Sequence, residues 1–294
     1  MPKYLLGKAF RFLPKYIKSI LEEQKNSQIE ILRGELRLVI ESLSIENANL
    51  KGMLLEQDYV LAEFKLNDTF FLDNKMVIHQ SSTFSSDLHR LSEIYGSDKG
   101  GDPSKPHPYP HKTHNYVDAY EMLFSNLKIP ILDILECGIG TNNQSIESNM
   151  GVSGKPGASL RMWSSYFPKA RIVGVDIDQS ILFEEPRIRT FHMDQTSNSS
   201  IHSFLESVNF QNFDIIIDDG LHNFESNKTM FENLNPFLRA GGVYIIEDVA
   251  FQELSKYKSL SSEVDLALEI ICLERRNTDL GDNNLVIFKK KLKH

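Results

Sequence analysis

Residues 213–222 read FDIIIDDGLH and residues 243–248 read VYIIED, so two apolar runs each end in acidic side chains. Short runs rich in isoleucine and valine are typical of parallel strands that are buried on both faces of a sheet. Because the carboxyl ends of parallel strands share one edge, where open α/β folds bind ligands, four side chains should meet there: Asp219, His222, Glu247 and Asp248. Three carboxylates beside an imidazole indicate a hard divalent cation with a neighbouring base.

The composition describes one main folded domain with an appendage, since the chain has 294 residues and 41% of them are hydrophobic. A formal charge of -8 argues against a nucleic-acid partner that is recognised through bulk positive charge. Cys137 and Cys272 lie in apolar runs, which is typical of buried free thiols and of a cytoplasmic protein. No apolar stretch approaches the roughly 20 residues that span a bilayer, and no signal peptide is expected.

The first 80 residues differ from the rest and are expected to form a helical extension, with the main domain at residues 81–294. Residues 3–18 carry five basic residues and no acidic one, interleaved with apolar residues. Two interpretations stay open for this segment. One is a peripheral membrane contact through residues 1–20, and the other is a short helix that caps its own domain.

A heptad pattern follows between residues 29 and 53, where apolar side chains recur at steps of three and four residues. Its apolar positions are Ile29, Leu32, Leu36, Val39, Leu43, Leu50 and Met53, and Glu46 is the one polar residue at a heptad position. The pattern favours a coiled coil and a homo-oligomer. A single amphipathic helix that lies on the main domain is the alternative, because so short a heptad is marginal as an isolated coiled coil.

Regular alternation of strands and helices begins near residue 129 and predicts a doubly wound α/β sheet of about seven strands. Five strands are predicted at residues 131–136, 171–176, 188–192, 215–218 and 243–247, followed by a closing pair at 270–273 and 285–289 that a hairpin connects. Helices are predicted at residues 88–95, 115–127, 160–166, 224–238 and 261–268, and Ser159 is the expected cap of the third.

The first strand leads into a glycine turn, in which Gly138 and Gly140 allow a tight bend and a close approach to a ligand. Asp176, at the end of the next strand, is placed to accept hydrogen bonds from ribose hydroxyls. A nucleotide-like ligand is therefore indicated. The third glycine of a dinucleotide fingerprint is missing, and Asp176 lies nearly twice the usual distance of about 20 residues downstream, so NAD fits poorly.

Together these motifs resemble a class I S-adenosylmethionine-dependent methyltransferase, with a Rossmann-like sheet. More narrowly, residues 91–290 are similar to the macrocin and mycinamicin sugar O-methyltransferases, including the segments YGSDK at residues 95–99 and SLRMWSSYFP at residues 159–168. The resemblance implies S-adenosylmethionine and Mg²⁺ as cofactors and a sugar-containing acceptor. That acceptor is either a surface polysaccharide precursor or a glycosylated natural product.

The resemblance also implies a role for each matching position. The Mg²⁺ ligands are Asp219, Glu247 and Asp248, and the base is His222, which Asp219 would also orient. The cofactor contacts are Glu136, Gly138, Gly140 and Asn142 at the methionine end, Asp176 at the ribose, Asp194 and Gln195 at the adenine, and Arg161. Asp218 is not expected to be a ligand, because its side chain points away from Asp219 in an extended strand.

The polar stretch at residues 96–112 is predicted to be a loop that covers the substrate, with weaker candidates for closing the site at Tyr95, Lys99, His114 and Tyr116. Two other function classes remain as alternatives. An NAD-dependent oxidoreductase or epimerase that acts on a nucleotide sugar would share the strand, glycine turn and aspartate. A non-catalytic assembly factor would use the coiled coil and carry a methyltransferase-like fold without the activity.

Overall fold

The computed structural model describes residues 75–79, 86–102, 105, 109, 112–127, 129–208, 212–275 and 281–292. The chain divides into two units, Met1–Asn67 and Asp68–His294, and every described residue belongs to the second. The predicted heptad and the basic amphipathic segment lie outside the described residues, so the coiled coil, the membrane contact and the homo-oligomer stay predictions. Among the described residues, no helix is long and apolar enough to cross a bilayer.

A nine-stranded sheet runs through the described part of the chain. Its strands are β1 (Lys75–His79), β2 (Asp133–Cys137), β3 (Arg171–Asp176), β4 (Glu184–Glu185), β5 (Ile188–His192), β6 (Phe213–Asp218), β7 (Leu238–Ile246), β8 (Leu266–Glu274) and β9 (Asn284–Lys290). Their spatial order is β1-β8-β9-β7-β6-β2-β3-β5-β4. The five central strands β7, β6, β2, β3 and β5 pair in parallel, and β9 pairs antiparallel with β7 and β8.

Six α-helices accompany the sheet among the described residues. They are α1 (Asp87–Tyr95), α2 (Tyr116–Ser125), α3 (Ala158–Tyr166), α4 (Asn198–Val208), α5 (Phe224–Leu234) and α6 (Tyr257–Glu263). Helix α5 begins after Asn223, whose side chain accepts a hydrogen bond from the backbone N–H of Ser226. It ends before the prediction, because Pro236 cannot donate to the helical ladder and the chain continues as the 3₁₀ helix Asn235–Phe237.

Several predicted boundaries are wrong. Strand β1 lies in the segment assigned to the helical extension and pairs in parallel with β8, so the sheet begins before residue 80. Leu266 already belongs to β8, whereas a helix was predicted over 261–268, because pairing with β9 outweighs the helix propensity of Leu and Ala. Helix α3 is preceded by Gly157, with φ of 73°, and Ser159 lies inside the helix.

The order of the central strands creates a crevice. β2 lies between β6 and β3, and the chain winds outward from it in both directions, through β3 and β5 on one side and through β6 and β7 on the other. In open α/β sheets such a reversal separates the loops at the carboxyl ends of neighbouring strands and leaves room for a ligand. The predicted site residues follow these strands, so the topology brings them to this crevice.

Candidate functional site

The glycine turn after β2 is held tightly against the chain that follows β6. Gly138 has φ of 81°, and a Cβ atom at this position would lie 1.8 Å from the carbonyl oxygen of Asp219. The backbone N–H of Asp219 also donates to the carbonyl of Cys137, at 2.9 Å. Only glycine tolerates both this conformation and this contact, so Gly138 joins the turn to the acidic motif.

Asp176, at the end of β3, braces the same turn. Its carboxylate accepts hydrogen bonds from the backbone N–H groups of Ile139 and Asp178, each at 2.9 Å. Burial raises the pKa of Asp176, while these backbone donors oppose the shift. The carboxylate nevertheless lines the cavity described next, where its remaining lone pairs can accept from a ligand hydroxyl.

A cavity of about 600 Å³ occupies the crevice. We call the part of its lining formed by Gly138, Gly140, Asp176, Ile177 and Met193 the first end, and the part formed by Asp219, His222 and Asp248 the second end. The half-exposed Ile177 and the buried Met193 give the first end apolar surface beside the polar Asp176, Asp194 and Gln195, whereas the second end consists of charged side chains. The predicted nucleoside region and the predicted acidic region are thus two ends of one cavity.

Asp219, His222 and Asp248 form the charged end. Each offers one ligand atom, and these atoms lie within 4.8 Å of one another. His222 Nε2 is 3.4 Å from Asp219 Oδ1, and His222 Nδ1 is 3.3 Å from Asp248 Oδ2. His222 and Asp248 have φ of 54° and 52°, a left-handed conformation that non-glycine residues rarely adopt and that is common at functional sites.

The electrostatics of His222 follow from these two carboxylates. Burial lowers the pKa of His222, but the charge of Asp248 and the hydrogen bond and charge of Asp219 outweigh it and raise the pKa to about 10. The imidazole is therefore protonated at neutral pH when the carboxylates lack another cation. A divalent cation on the same carboxylates would offset their charge and act in the opposite direction.

Lys99 has a larger role in the site than its place in the sequence indicates. Its side chain is 1% exposed, and its Nζ donates to Asp219 Oδ2 and Glu247 Oε2, both at 2.6 Å. The same ammonium lies 3.2 Å from Glu136 Oε1. Lys99 therefore links carboxylates that follow or end three different strands, instead of closing the site as part of a mobile cover.

The three carboxylates keep the side chain of Lys99 protonated. Burial lowers the pKa of Lys99, but the charges of Asp219, Glu247 and Glu136 hold it well above its usual range. Burial also raises the pKa of Asp219, yet Lys99 and His222 lower it to about 2, so this carboxylate is ionised. The carboxylate of Asp219 is shared, since Oδ2 faces Lys99 and Oδ1 faces His222.

Glu247 faces the interior and not the Asp219–His222–Asp248 cluster. Its side chain is 1% exposed, and its carboxylate accepts from Lys99 and from the hydroxyl of Tyr120. Burial raises its pKa well above the usual range, and Lys99 opposes the shift. The structure thus brings two of the three predicted metal ligands together with the predicted base, and gives the third a different set of partners.

Besides Lys99, two more of the four candidates for closing the site contact it, Tyr116 and His114. The hydroxyl of Tyr116 donates to Asp248 Oδ1, and the ring of His114 stacks on Tyr116 with a centroid distance of 4.5 Å. His114 Nε2 lies 3.4 Å from Asp248 Oδ1. Tyr95 instead contacts Ser165 through its hydroxyl, at 2.7 Å, and does not line the cavity.

Several predicted cofactor contacts do not line the cavity. Glu136 is fully buried and accepts from Trp163 Nε1 at 2.7 Å, and Arg161 binds Glu185 at the far edge of the sheet. The side chain of Asn142 donates to carbonyl groups of the loop that follows it. In this structure the three side chains bind protein groups and do not line the cavity, because residues near a motif in sequence need not point into the crevice, and their cofactor contacts stay predictions.

Asp194 and Gln195 both border the cavity, but their side chains are engaged with the protein. Asp194 accepts from the backbone N–H and the hydroxyl of Thr196. Gln195 Oε1 accepts from the backbone N–H of Leu221 at 2.8 Å, and Gln195 Nε2 donates to Asp218 at 3.1 Å. Gln195 therefore ties the chain after β5 to the acidic motif after β6.

Asp218 behaves as its place in the strand predicted. It is fully buried and accepts from Asn227 Nδ2 at 3.0 Å as well as from Gln195. Burial raises the pKa of Asp218 to about 6, against the opposing effect of these two donors. Asp218 lies outside the Asp219–His222–Asp248 cluster and serves to fix the neighbouring elements.

Comparison with known proteins identifies similar sequences and a similar solved structure. No protein-family model matches the chain. Over 186 residues it is 32% identical to the 8-demethyl-8-(2-methoxy-alpha-L-rhamnosyl)-tetracenomycin-C 3'-O-methyltransferase of Streptomyces olivaceus, across 63% of this chain and 43% of the relative. Over 165 residues it is 34% identical to the mycinamicin VI 2''-O-methyltransferase of Micromonospora griseorubida, across 55% of this chain and 36% of the relative. The chain is thus similar in sequence to these sugar O-methyltransferases over part of their length.

A solved structure agrees with this relationship. The MycE methyltransferase of the mycinamycin biosynthetic pathway, in complex with Mg, SAH and mycinamycin VI, matches with a TM-score of 0.51 and 27% identity, across 70% of this chain and 55% of MycE. The predicted class I methyltransferase fold is confirmed. The chain spans less than half the length of the curated relatives it matches, so the match alone does not define its activity.

Proposed function

We propose that this chain transfers the methyl group of S-adenosylmethionine to a sugar hydroxyl in a Mg²⁺-dependent reaction. The observation that carries the proposal is the single cavity that joins the glycine turn and Asp176 to the Asp219–His222–Asp248 cluster. A methyl donor bound at one end and an activated hydroxyl bound at the other would then face each other inside the same cavity. The relatives' names, which are those of sugar O-methyltransferases, support the same reaction class.

The first end of the cavity fits a nucleoside with a methionine-like tail. Gly138 and Gly140, with φ of 81° and 86°, allow the backbone to approach a ligand closely. Asp176 has lone pairs left for the ribose hydroxyls, and Ile177 and Met193 offer apolar contacts for the adenine ring. Asp194 and Gln195 lie along the same wall, where Gln195 acts mainly through its bonds to the protein.

The second end fits a hard divalent cation. Asp219 and Asp248 would hold Mg²⁺ through carboxylate oxygens, which this ion prefers, and it keeps waters that sugar hydroxyls can replace. Among the described atoms, His222 Nε2 is buried and faces Asp219 Oδ1 at 3.4 Å, so it would become available to a substrate hydroxyl when Mg²⁺ takes up that carboxylate. When bound, Mg²⁺ would lower the pKa of the coordinated hydroxyl. Glu247 would join as a ligand only after exchanging its bond to Lys99 or Tyr120.

His222 is the proposed base. As the acceptor oxygen forms its bond to the methyl carbon and the carbon–sulfur bond breaks, the proton of the hydroxyl passes to His222 Nε2. Asp248, 3.3 Å from Nδ1, would hold the ring orientation, and Asp219 would share this task from the other side. Lys99 keeps Asp219 ionised and in place, which makes it a positioning residue for the cluster.

The acceptor is proposed to be a sugar with neighbouring hydroxyl groups. Relatives named for methylation of rhamnosyl and mycinamicin sugars support a glycosylated natural product. A surface polysaccharide precursor stays the second candidate, and it would agree with the predicted membrane contact of residues 1–20. A cytoplasmic location and a homo-oligomer are proposed with it, from the cysteine pattern and the heptad.

Isothermal titration of the full-length chain tests the proposed cofactor directly. Titrations with S-adenosylmethionine, S-adenosylhomocysteine and NAD in Mg²⁺ buffer should show micromolar binding of the first two and none of NAD. Replacing His222 with Gln should leave S-adenosylhomocysteine affinity within about twofold while lowering methyl transfer to a glycoside acceptor by roughly 10²–10⁴-fold. Tight NAD binding without S-adenosylmethionine binding would favour the oxidoreductase alternative instead.

A further inference from the structure

The segment between β2 and α3 forms a wall of the cavity that the sequence motifs did not assign. Residues 146–150 follow one another along the cavity, from Ile146 to Met150. Their side chains are half-buried or exposed, so the wall has little core packing of its own. The side chain of Asn149 shapes it from within, by donating to the carbonyl of Ile146 and accepting from the backbone N–H of Gly151, and contacts with the glycine turn attach it to the rest of the site.

Asn142 supplies the central contact. Its Nδ2 donates to the carbonyl of Gly151 at 2.7 Å and to the carbonyl of Gly154 at 2.9 Å. Both hydrogens of one amide are thus used to fold the segment back onto the turn. The backbone N–H of Met150 closes the same loop on the carbonyl of Thr141, at 2.8 Å.

Close packing fixes the wall further. A Cβ atom at Gly140 would lie 3.0 Å from Met150 Cγ, and a Cβ atom at Gly154 would lie 2.5 Å from Met150 Cβ. Gly140 is therefore needed by Met150 as well as by a ligand. The glycine turn and the wall form one unit, in which the Asn142 amide supplies the two side-chain hydrogen bonds that add to the Met150–Thr141 backbone bond and to the packing of Met150.

We propose that Asn142 is a positioning residue for the cofactor, which holds residues 146–150 against the bound nucleoside and thereby sets how fast the cofactor leaves. The inference rests on the proposed function, since it takes S-adenosylmethionine or its product as the occupant of the cavity. It revises the role of Asn142 from a direct contact to an indirect one. An Asp at this position would present lone pairs to two carbonyl oxygens and repel the wall, whereas an Ala would only release it.

The experiment compares Asn142→Asp and Asn142→Ala with Asn143→Ala in the full-length chain. Asn143 is the matched control, because it has the same side chain, is exposed and, among the described residues, uses its side chain to accept from Ser145 and not to bind the wall. S-adenosylhomocysteine is the probe, with affinity measured by calorimetry and dissociation by stopped-flow displacement. Both Asn142 variants should bind roughly tenfold or more weakly through faster dissociation, with Asp worse than Ala, and Asn143→Ala should stay within about twofold.

The rate of backbone hydrogen exchange over residues 143–157 is a second measurement. In the Asn142 variants this rate should rise for residues 143–157 and stay unchanged in the strands of the sheet. If either variant folds poorly, Met150→Ala removes the packing on Gly140 and should also speed dissociation. Unchanged affinity and exchange in folded Asn142 variants would overturn the inference. If the natural sequence itself fails to bind S-adenosylhomocysteine, the proposed function fails, which is a separate outcome.

Discussion

The two ends of the cavity use their polar side chains in opposite ways. At the nucleoside end, Asp176 and Gln195 are bound to backbone groups and leave an apolar surface with few open acceptors. At the acidic end, Asp219, His222 and Asp248 face one another across distances of 3.3 to 3.4 Å and gather charge around a small volume. The first end is built for shape and the second for charge, which suits a bulky cofactor beside a small cation.

Substitution of Lys99 should produce the largest effect, because its buried ammonium neutralises the carboxylates at the acidic end from the interior side. Lys99→Met leaves the buried carboxylates of Glu136 and Glu247 without a cation, so the free energy of unfolding should fall by about 3–5 kcal/mol. Urea denaturation of the full-length chain measures this. Lys105→Met removes an exposed lysine that pairs with Glu93 and should leave the midpoint nearly unchanged. Equal midpoints for the two variants would show that the ammonium is not needed.

Gly138 should give the next effect, because both ends of the cavity meet at this residue. Gly138→Ala places a Cβ atom against the carbonyl of Asp219 in a left-handed conformation, and should lower stability by about 3 kcal/mol. Binding of cofactor and of metal should weaken together. Gly281→Ala is the control, since a Cβ atom there meets nothing within 4 Å. Loss of cofactor binding alone would mean that the two ends are independent.

The acidic end can be divided by comparing Asp248→Asn with Glu247→Gln. If Asp248 binds the metal and Glu247 supports Lys99, Mn²⁺ affinity should fall by roughly 100-fold in the first variant, about 2.7 kcal/mol, and by roughly tenfold or less in the second. Electron paramagnetic resonance of free Mn²⁺ measures both. An equal loss would restore Glu247 as a ligand, as the motif resemblance implies.

The smallest effect tests the nucleoside end. Arg161→Met breaks a half-buried pair with Glu185 outside the cavity, so S-adenosylhomocysteine affinity should stay within about twofold. Asp176→Asn should lower that affinity by roughly tenfold, since it removes a charged acceptor at the cavity wall. Calorimetry on both variants makes the comparison. A large loss of S-adenosylhomocysteine affinity in Arg161→Met would mean that the protein around Arg161 moves to enclose the bound cofactor.

The sequence predicted those features that depend on short apolar runs. β3 and β5 have the predicted bounds, and Asp219, His222 and Asp248 meet because β6 and β7 are adjacent parallel strands. Strand β4 has two residues, too few for a pattern.

Lys99 could not be found in the same way, because it contacts Asp219 and Glu247 from 120 and 148 residues earlier in the chain. The number of acidic residues did carry a signal. Four carboxylates near one edge of the sheet, those of Glu136, Asp219, Glu247 and Asp248, require a buried cation or a metal ion. The directions in which the side chains of Arg161 and Asn142 point depend on local packing, so their nearness to a motif in the sequence did not predict them.

A crystal structure of the full-length chain with S-adenosylhomocysteine and Mn²⁺ would locate both ligands in one experiment, because anomalous scattering identifies the metal. We expect a manganese peak between Asp219 and Asp248 beside His222, with the ribose on Asp176 and the sulfur pointing toward that peak. A cofactor bound elsewhere, or manganese bound away from Asp219 and Asp248, would contradict this expectation.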